Sequence, residues 1–239
     1  MLSDPACLGN LPPDAVESIF DPQFWRARGE LTAATTGRGS AWFIASGERS
    51  GGRQWVLRHY RRGGFIARLS RDGYVWAGED RVRAFAEWRL LDIMRQRGLP
   101  VPRPVAARYQ REGLCYRCDL ITERIVDAEP LSSVLAGGAL AESAWRAVGA
   151  AVAQLHQAGV EHADLNAHNL LLDAHGAVSV IDFDRGRLRA PGIWVNRNLR
   201  RLQRSLAKIS RGLPAGRYSA RDWEWLMAGY RAAAGREAA

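Results

Sequence analysis

The chain has 239 residues with 34 Lys+Arg against 25 Asp+Glu, a formal net charge of +9, and is 47% hydrophobic and 25% charged. That is the composition of a folded chain with a sizeable core, which excludes a disordered segment, and the basic balance favours an anionic partner: nucleic acid, an acidic membrane or a phosphorylated substrate. Cys7, Cys115 and Cys118 are too few for a disulfide framework, and the Cys115-Tyr-Arg-Cys118 spacing has no second pair to complete a metal site.

The N-terminus lacks the basic start and apolar stretch of a signal peptide. The longest strongly apolar run, Ala147–Ala153, is far short of the about 20 residues that span a bilayer. Residues 1–30 read as an irregular or short-helical prefix anchored by Phe20, Phe24 and Trp25. Three strand-like runs follow, Leu31–Thr36, Ala41–Ser46 and Gln54–Tyr60, separated by glycine-bearing turns at 37–40 and 47–52, so they can form a meander. Arg81–Arg97 reads as a helix: Phe85, Trp88, Leu91 and Met94 recur at near-helical spacing, Gly98 suits its C-terminus and Pro100 stops it. Strand-like runs Val105–Arg111 and Leu114–Ile125 come next. After a connector near Glu123–Pro130 the character changes to an alanine-rich helix, Ala141–Ala158, then short strands at 169–173 and 177–181, then basic helix to the end. This order predicts an α+β chain of two lobes, 1–125 with a sheet and one main helix and 126–239 mostly helical, with a ligand cleft expected between them.

The strongest chemical signal is His162-Ala-Asp164-Leu-Asn166-Ala-His168-Asn169, followed by Val180-Ile-Asp182-Phe183-Asp184. Phosphoryl transfer needs a carboxylate to orient an acceptor hydroxyl and take its proton, which Asp164 supplies. It also needs hard oxygen ligands for Mg²⁺ on the phosphates, which Asp182 and the Asn169 amide supply.

With these residues the chain resembles the protein-kinase-like fold. The catalytic-loop pattern HxDxxxxN is intact, and Asp182 stands where the Asp of DFG stands, 18 residues after Asp164. By the same resemblance Gly37 and Gly39 occupy the hairpin over the ATP phosphates, although the third glycine of that loop is absent. Glu87 falls at the helix position that pairs with the phosphate-binding lysine. That lysine is missing: the third strand carries Arg58, and the chain's one lysine is Lys208. Arg58 is therefore the candidate for the α/β phosphates and for pairing with Glu87, as a planar fork that stays charged.

The strings GRGSAWF (37–43), VLRHYRRGG (56–64), HADLNAHNLLLD (162–173) and IDFDRGR (181–187) are similar to those of the lipopolysaccharide kinase family, in particular its 3-deoxy-D-manno-octulosonic acid (Kdo) kinases, from about Phe20 to Arg211. That resemblance implies ATP-dependent phosphorylation of the 4-hydroxyl of a Kdo sugar on a lipid A precursor. It also implies work at the cytoplasmic face of the bacterial inner membrane, with the protein bound peripherally to an anionic surface. Composition agrees: Arg185 to Arg221 holds ten arginines, Lys208 and no acid, and Arg53 to Arg71 holds six arginines and no acid. Leu199, Leu202, Leu206 and Ile209 mark one face of a helix, and Arg197, Arg201, Arg204, Lys208 and Arg211 mark another. Candidate acceptor or membrane contacts are thus Arg61, Arg62, Arg185, Arg187, Arg197, Arg201, Arg204 and Lys208, with Trp194 set near the membrane or in the core.

The chain lacks an APE motif after Asp182, has Asp184 in place of the DFG glycine, and carries Asn166 where many protein kinases have a basic residue. These departures argue against a protein acceptor. A kinase acting on another sugar, a small molecule or a protein is the alternative. A kinase-fold binding module without activity is disfavoured by the intact Asp164, Asn169 and Asp182, and no nucleic-acid motif or obligate protein partner is expected.

Overall fold

The structure, a computed structural model, describes residues 1–8, 16–35, 40–45, 53–61 and 72–235. In chain order the elements are β1 (Leu2–Ser3), α1 (Pro5–Leu8), α2 (Pro22–Arg26), β2 (Leu31–Thr35), β3 (Ser40–Ile44), β4 (Trp55–His59), β5 (Tyr74–Val75), α3 (Arg83–Gln96), β6 (Pro104–Glu112) and β7 (Cys115–Glu123). They continue with β8 (Ala128–Pro130), α4 (Leu131–Gly137), α5 (Glu142–Gln157), β9 (Val160–Glu161), β10 (Leu170–Asp173), β11 (Val178–Val180), β12 (Arg187–Leu188), α6 (Ile193–Ser210) and α7 (Ala220–Ala234). The chain divides into two compact units, one of residues 1–92 and 102–126 and one of residues 93–101 and 127–239.

The first unit is built on an antiparallel sheet in the order β1-β6-β7-β4-β3-β2, with β5 also paired to β7. The β4–β7 register sets Arg58 opposite Leu120 and His59 opposite Asp119. Cys115 and Cys118 lie three apart on β7, one exposed and one buried, as a strand's alternation requires, so they form no CxxC site. The prefix is less irregular than expected: Leu2 and Ser3 pair with Ala107 and Ala106, adding an edge strand. A two-residue strand has no periodicity to read, which is why the sequence did not reveal it. Asp21 caps α2 by accepting from the Gln23 N–H at 2.9 Å, with Pro22 opening the first turn. Phe20 and Trp25 then join Ile44, Trp55, Leu57, Val105 and Ile121 in the buried core, with Phe24 packed on it.

Helix α3 buries Ala84, Glu87, Leu91 and Met94, one stripe at spacings of three, four and three. Gly98, at φ 70°, takes the left-handed conformation that closes the helix.

The second unit is mostly helical, with a three-stranded sheet β11-β10-β8 and the pair β12-β9. Helices α5 and α7 cross at Gly149 and Gly229. A Cβ on Gly149 would lie 1.9 Å from the Leu226 carbonyl, and one on Gly229 2.1 Å from the Arg146 carbonyl, so only hydrogen fits at either place. Ser219 and Asp222 form a capping box at the start of α7. Helix α6 turns Trp194, Asn198, Leu199, Leu202 and Leu206 inward. Trp194 is core rather than a membrane contact: it is 2% exposed, donates Nε1–H to the Ala190 carbonyl at 2.8 Å and meets His156 edge-on.

Candidate active site

The loop between β9 and β10 carries Asp164 and Asn169, and its shape is set by hydrogen bonds that begin at His162. The His162 ring is buried against Phe183. Its Nδ1 accepts the Asp164 backbone N–H at 3.1 Å, so Nε2 carries the proton and donates to the Ile181 carbonyl at 3.0 Å. Burial holds the His162 pKa below its ordinary value and so preserves this neutral form. The histidine of HxDxxxxN therefore commits both ring nitrogens to tying the loop to itself and to the residue before Asp182.

Two amides close the loop on itself. Asn166 and Asn169 both donate Nδ2–H to the Asp164 carbonyl, at 2.9 and 3.0 Å, and Asn166 Oδ1 accepts from the His168 N–H at 2.8 Å. The Asn169 carbonyl accepts the Ile181 N–H at 3.0 Å, a second bond joining the loop to the β11 end. With its nitrogen committed, Asn169 has its side-chain oxygen as the atom for a cation. Asp182 has φ 64°, a left-handed conformation uncommon away from glycine, and this redirects its carboxylate after the straight strand Val178–Val180. One carboxylate and one amide oxygen suit Mg²⁺, which keeps several waters and binds phosphate oxygens besides its protein ligands.

Sequence reasoning missed Asn198. From the buried face of α6, its Oδ1 accepts the His162 N–H at 3.2 Å and its Nδ2–H donates to the His162 carbonyl at 2.9 Å. Its signal was present: one amide on an otherwise apolar stripe, Trp194, Asn198, Leu202, Leu206. Ser205 Oγ also takes the Ala167 N–H at 3.2 Å. Helix α6 is thus the support of the loop that carries Asp164.

Asp164 itself is exposed, and Arg201 Nη1 lies 2.5 Å from its Oδ1. Beside this pair is a cavity of about 440 Å³, with Asp164, Asn166 and His168 on the loop side and Arg201, Arg204 and Lys208 on the helix side. Arg197 does not face solvent alone. With Arg187 and Arg189 it surrounds Glu161, at 3.4, 3.0 and 2.8 Å. Burial opposes ionisation of Glu161, but the bonds and charges of Arg189 and Arg187 outweigh it and hold the carboxyl below its ordinary pKa. Arg185 is exposed and, at φ 60°, left-handed.

In the first unit Arg58 and Glu87 form an ion pair, with Glu87 almost fully buried and Arg58 partly exposed. Tyr60, also missed from sequence, completes the group. Its hydroxyl donates to Glu87 at 2.5 Å and accepts from Arg58 Nη2 at 2.9 Å, and the guanidinium lies 4.7 Å from its ring centre. Residues two apart along an extended chain share a face, which is how Arg58 and Tyr60 meet one carboxylate. Arg61 is exposed. Gly37, Gly39 and Arg62 lie outside the described residues.

Comparison with known proteins gives one consistent result. Residues 22–230 match the lipopolysaccharide kinase (Kdo/WaaP) family. A 3-deoxy-D-manno-octulosonic acid kinase of Xanthomonas oryzae pv. oryzae (strain PXO99A) is 48% identical over 222 residues, 92% of this chain and 86% of that protein. One of Stenotrophomonas maltophilia (strain K279a) is 47% identical over 194 residues, 80% of this chain and 75% of that protein. The chain belongs to the lipopolysaccharide kinase family, and it is a phosphotransferase acting on a hydroxyl group.

Proposed function

We propose that the chain transfers the γ-phosphoryl group of ATP to the 4-hydroxyl of a Kdo sugar on a lipid A precursor. The observation that carries this reading is the exposed Asp164 carboxylate, on a loop whose backbone is hydrogen-bonded at His162, Asp164, Ala167, His168 and Asn169, beside a cavity lined by three cations. The relatives' names supply the sugar, since both are Kdo kinases. In this reading the sheet unit and the helical unit are the two lobes of a protein-kinase-like fold.

Asp164 orients the sugar hydroxyl and receives its proton as the O–P bond forms and ADP leaves. Asp182 and Asn169 would hold Mg²⁺, which would supply charge neutralisation at the phosphates. Arg58, aimed by Glu87 and Tyr60, contacts the nucleotide phosphates. Alignment and charge stabilisation are the main work in this chemistry, and rigid hydrogen-bonded supports serve both.

We place the enzyme at the cytoplasmic face of the inner membrane, bound peripherally. No helix among the described residues is long and apolar enough to cross a bilayer. Ile193 is 82% exposed at the start of α6, and Leu188 is exposed between Arg187 and Arg189. An apolar residue flanked by arginines suits an anionic lipid interface, where each basic group contributes about 1 kcal/mol.

The test is mass analysis of a Kdo-bearing lipid A precursor after incubation with ATP. One phosphate should be added to the sugar, and fragmentation should place it on O4. Asp164→Asn and Asp182→Asn should fold normally and lose transfer by several orders of magnitude. Near-normal turnover in either variant would overturn these roles, and phosphorylation of free sugars or proteins in preference to the lipid would favour the alternative acceptor.

A further inference from the structure

We infer that the cavity beside Asp164 is a subsite for the carboxylate of the acceptor sugar, with Arg201 holding that carboxylate and the base in one frame. This deepens the proposed function and rests on its assignment of a Kdo-bearing acceptor.

The first ground is which polar groups of the cavity are already engaged. On the loop side both ends of the Asn166 amide are bonded within the loop. His168 Nδ1 is 2.8 Å from Ser132 Oγ. On the helix side Ser205 Oγ accepts from Ala167. The neutral groups that would recognise sugar hydroxyls are thus largely committed to structure. Two of the three cations are not. Among the described residues neither Arg204 nor Lys208 has an ion-pair partner, and both are exposed on α6. The cavity therefore holds three positive side chains against the single carboxylate of Asp164 and suits an anion better than a neutral polyol.

The second ground is Arg201. A guanidinium has five N–H donors in a planar fork that matches a carboxylate. One nitrogen is on Asp164 Oδ1 at 2.5 Å, and the side chain is about half exposed and lines the cavity, so a further edge of the fork is open to a ligand. A carboxylate on that edge would be fixed relative to Asp164 by one rigid plane. Arg204, three residues on, and Lys208, seven residues on, share the helix face and complete the anion site. Kdo carries a carboxylate at C1 on the same ring as the 4-hydroxyl, whereas neutral hexoses do not. The subsite would therefore set both the acceptor's identity and which hydroxyl meets the base. At about 440 Å³ the cavity is within the range of small-ligand sites.

A lipid phosphate presents similar chemistry, so the experiment uses three acceptors: the Kdo-bearing lipid A precursor, the same lipid with the Kdo carboxylate converted to the carboxamide, and one stripped of its lipid phosphates. The wild-type chain should prefer acid over amide by about tenfold or more in kcat/KM, the effect of one charge-assisted pair. Arg201→Gln should abolish that preference, Arg201→Lys should recover part of it, and Lys208→Gln, at an exposed helix position, should reduce it. A mere loss of stability would lower transfer to acid and amide alike and leave their ratio intact. Equal use of acid and amide by the wild type overturns the subsite while the Kdo acceptor stands. A preference that survives in Arg201→Gln, or that follows the lipid phosphates instead, overturns it too. No transfer to any Kdo lipid overturns the acceptor assignment itself.

Discussion

Asn198→Ala tests whether α6 supports the catalytic loop. The substitution removes both bonds to His162 and leaves a buried N–H and a buried carbonyl without partners. Each orphaned group costs about 1–3 kcal/mol, so a loss of roughly 3 kcal/mol is expected once some relaxation is allowed. For a chain of this length that is about 6–12 °C in Tm. The matched control is Gly149→Ala, which forces α5 from α7 at a point where a Cβ would overlap a carbonyl and costs about 1–3 kcal/mol by overpacking. Both variants should melt early. At a temperature where both remain folded, Gly149→Ala should keep its kcat, whereas Asn198→Ala should lose kcat because Asp164 and Asn169 hang from the same hydrogen-bonded loop as His162. Thermal melts by circular dichroism and steady-state kinetics suffice. If Asn198→Ala is destabilised but turns over like Gly149→Ala, Asn198 is a packing residue and the support argument fails.

Two further expectations follow from buried charge. Arg58→Met should cost about 3 kcal/mol by taking the guanidinium away from the buried Glu87 carboxylate, and Arg58→Met/Glu87→Leu should restore stability without restoring ATP-dependent turnover, which separates the ion pair's structural part from the proposed phosphate contact. On acidification, His156 must be protonated against a folded pKa that burial pushes down to about 4, and His162 shifts in the same direction for the same reason. The unfolded chain takes up these protons near pH 6.5, so this stability is fully present above that value and is lost as pH falls toward 4, by about 3 kcal/mol for His156 alone. His59 has the opposite sign. Its bond to Asp119 raises its pKa, so its contribution is present below pH 6.5 and lost as pH rises through the folded value. Urea melts from pH 7 to 4 should show the fall, and a flat profile would refute the neutral assignment of the two buried histidines.

Much of this was legible in the sequence because it is local. The long strands, α3 and α5 follow apolar spacing to within one or two residues of the observed ends, and the HxDxxxxN loop announces itself by spacing alone. What escaped is set by partners distant in the chain. Tyr60 matters because Glu87 on another element comes to its hydroxyl. Asn198 matters because His162 presents a backbone donor and acceptor to it. Trp194, an aromatic among arginines, looked as suited to a membrane as to a core. It was assigned to the core by His156 on α5, a partner its own neighbourhood does not specify, while its N–H found the nearby Ala190 carbonyl. Glu87 and Asn198 did leave a trace: each is the one polar residue on a buried helical stripe, and such a residue needs a partner.

An arginine-rich composition with a net charge of +9 can be genomic habit. The distribution of partners argues otherwise. In the first unit, Arg103 pairs with Asp4, Arg53 with Glu123 and Arg108 with Asp119, one guanidinium to each carboxylate at these places. Around the loop that carries Asp164 the ratio differs. Glu161, the residue before His162, faces three guanidiniums, and Asp164 is the one acid of a cavity with three cations. Each carboxylate neutralises one charge and positions the rest, leaving about two positive charges over at each place. Crowding like charges costs free energy unless something anionic shares the space. All but one of these cations sit on regular elements, Arg187 on β12 and Arg197, Arg201, Arg204 and Lys208 on α6, with Arg189 directly after β12. A fixed surplus of this kind beside Asp164, the proposed base, favours an anionic acceptor over a neutral one.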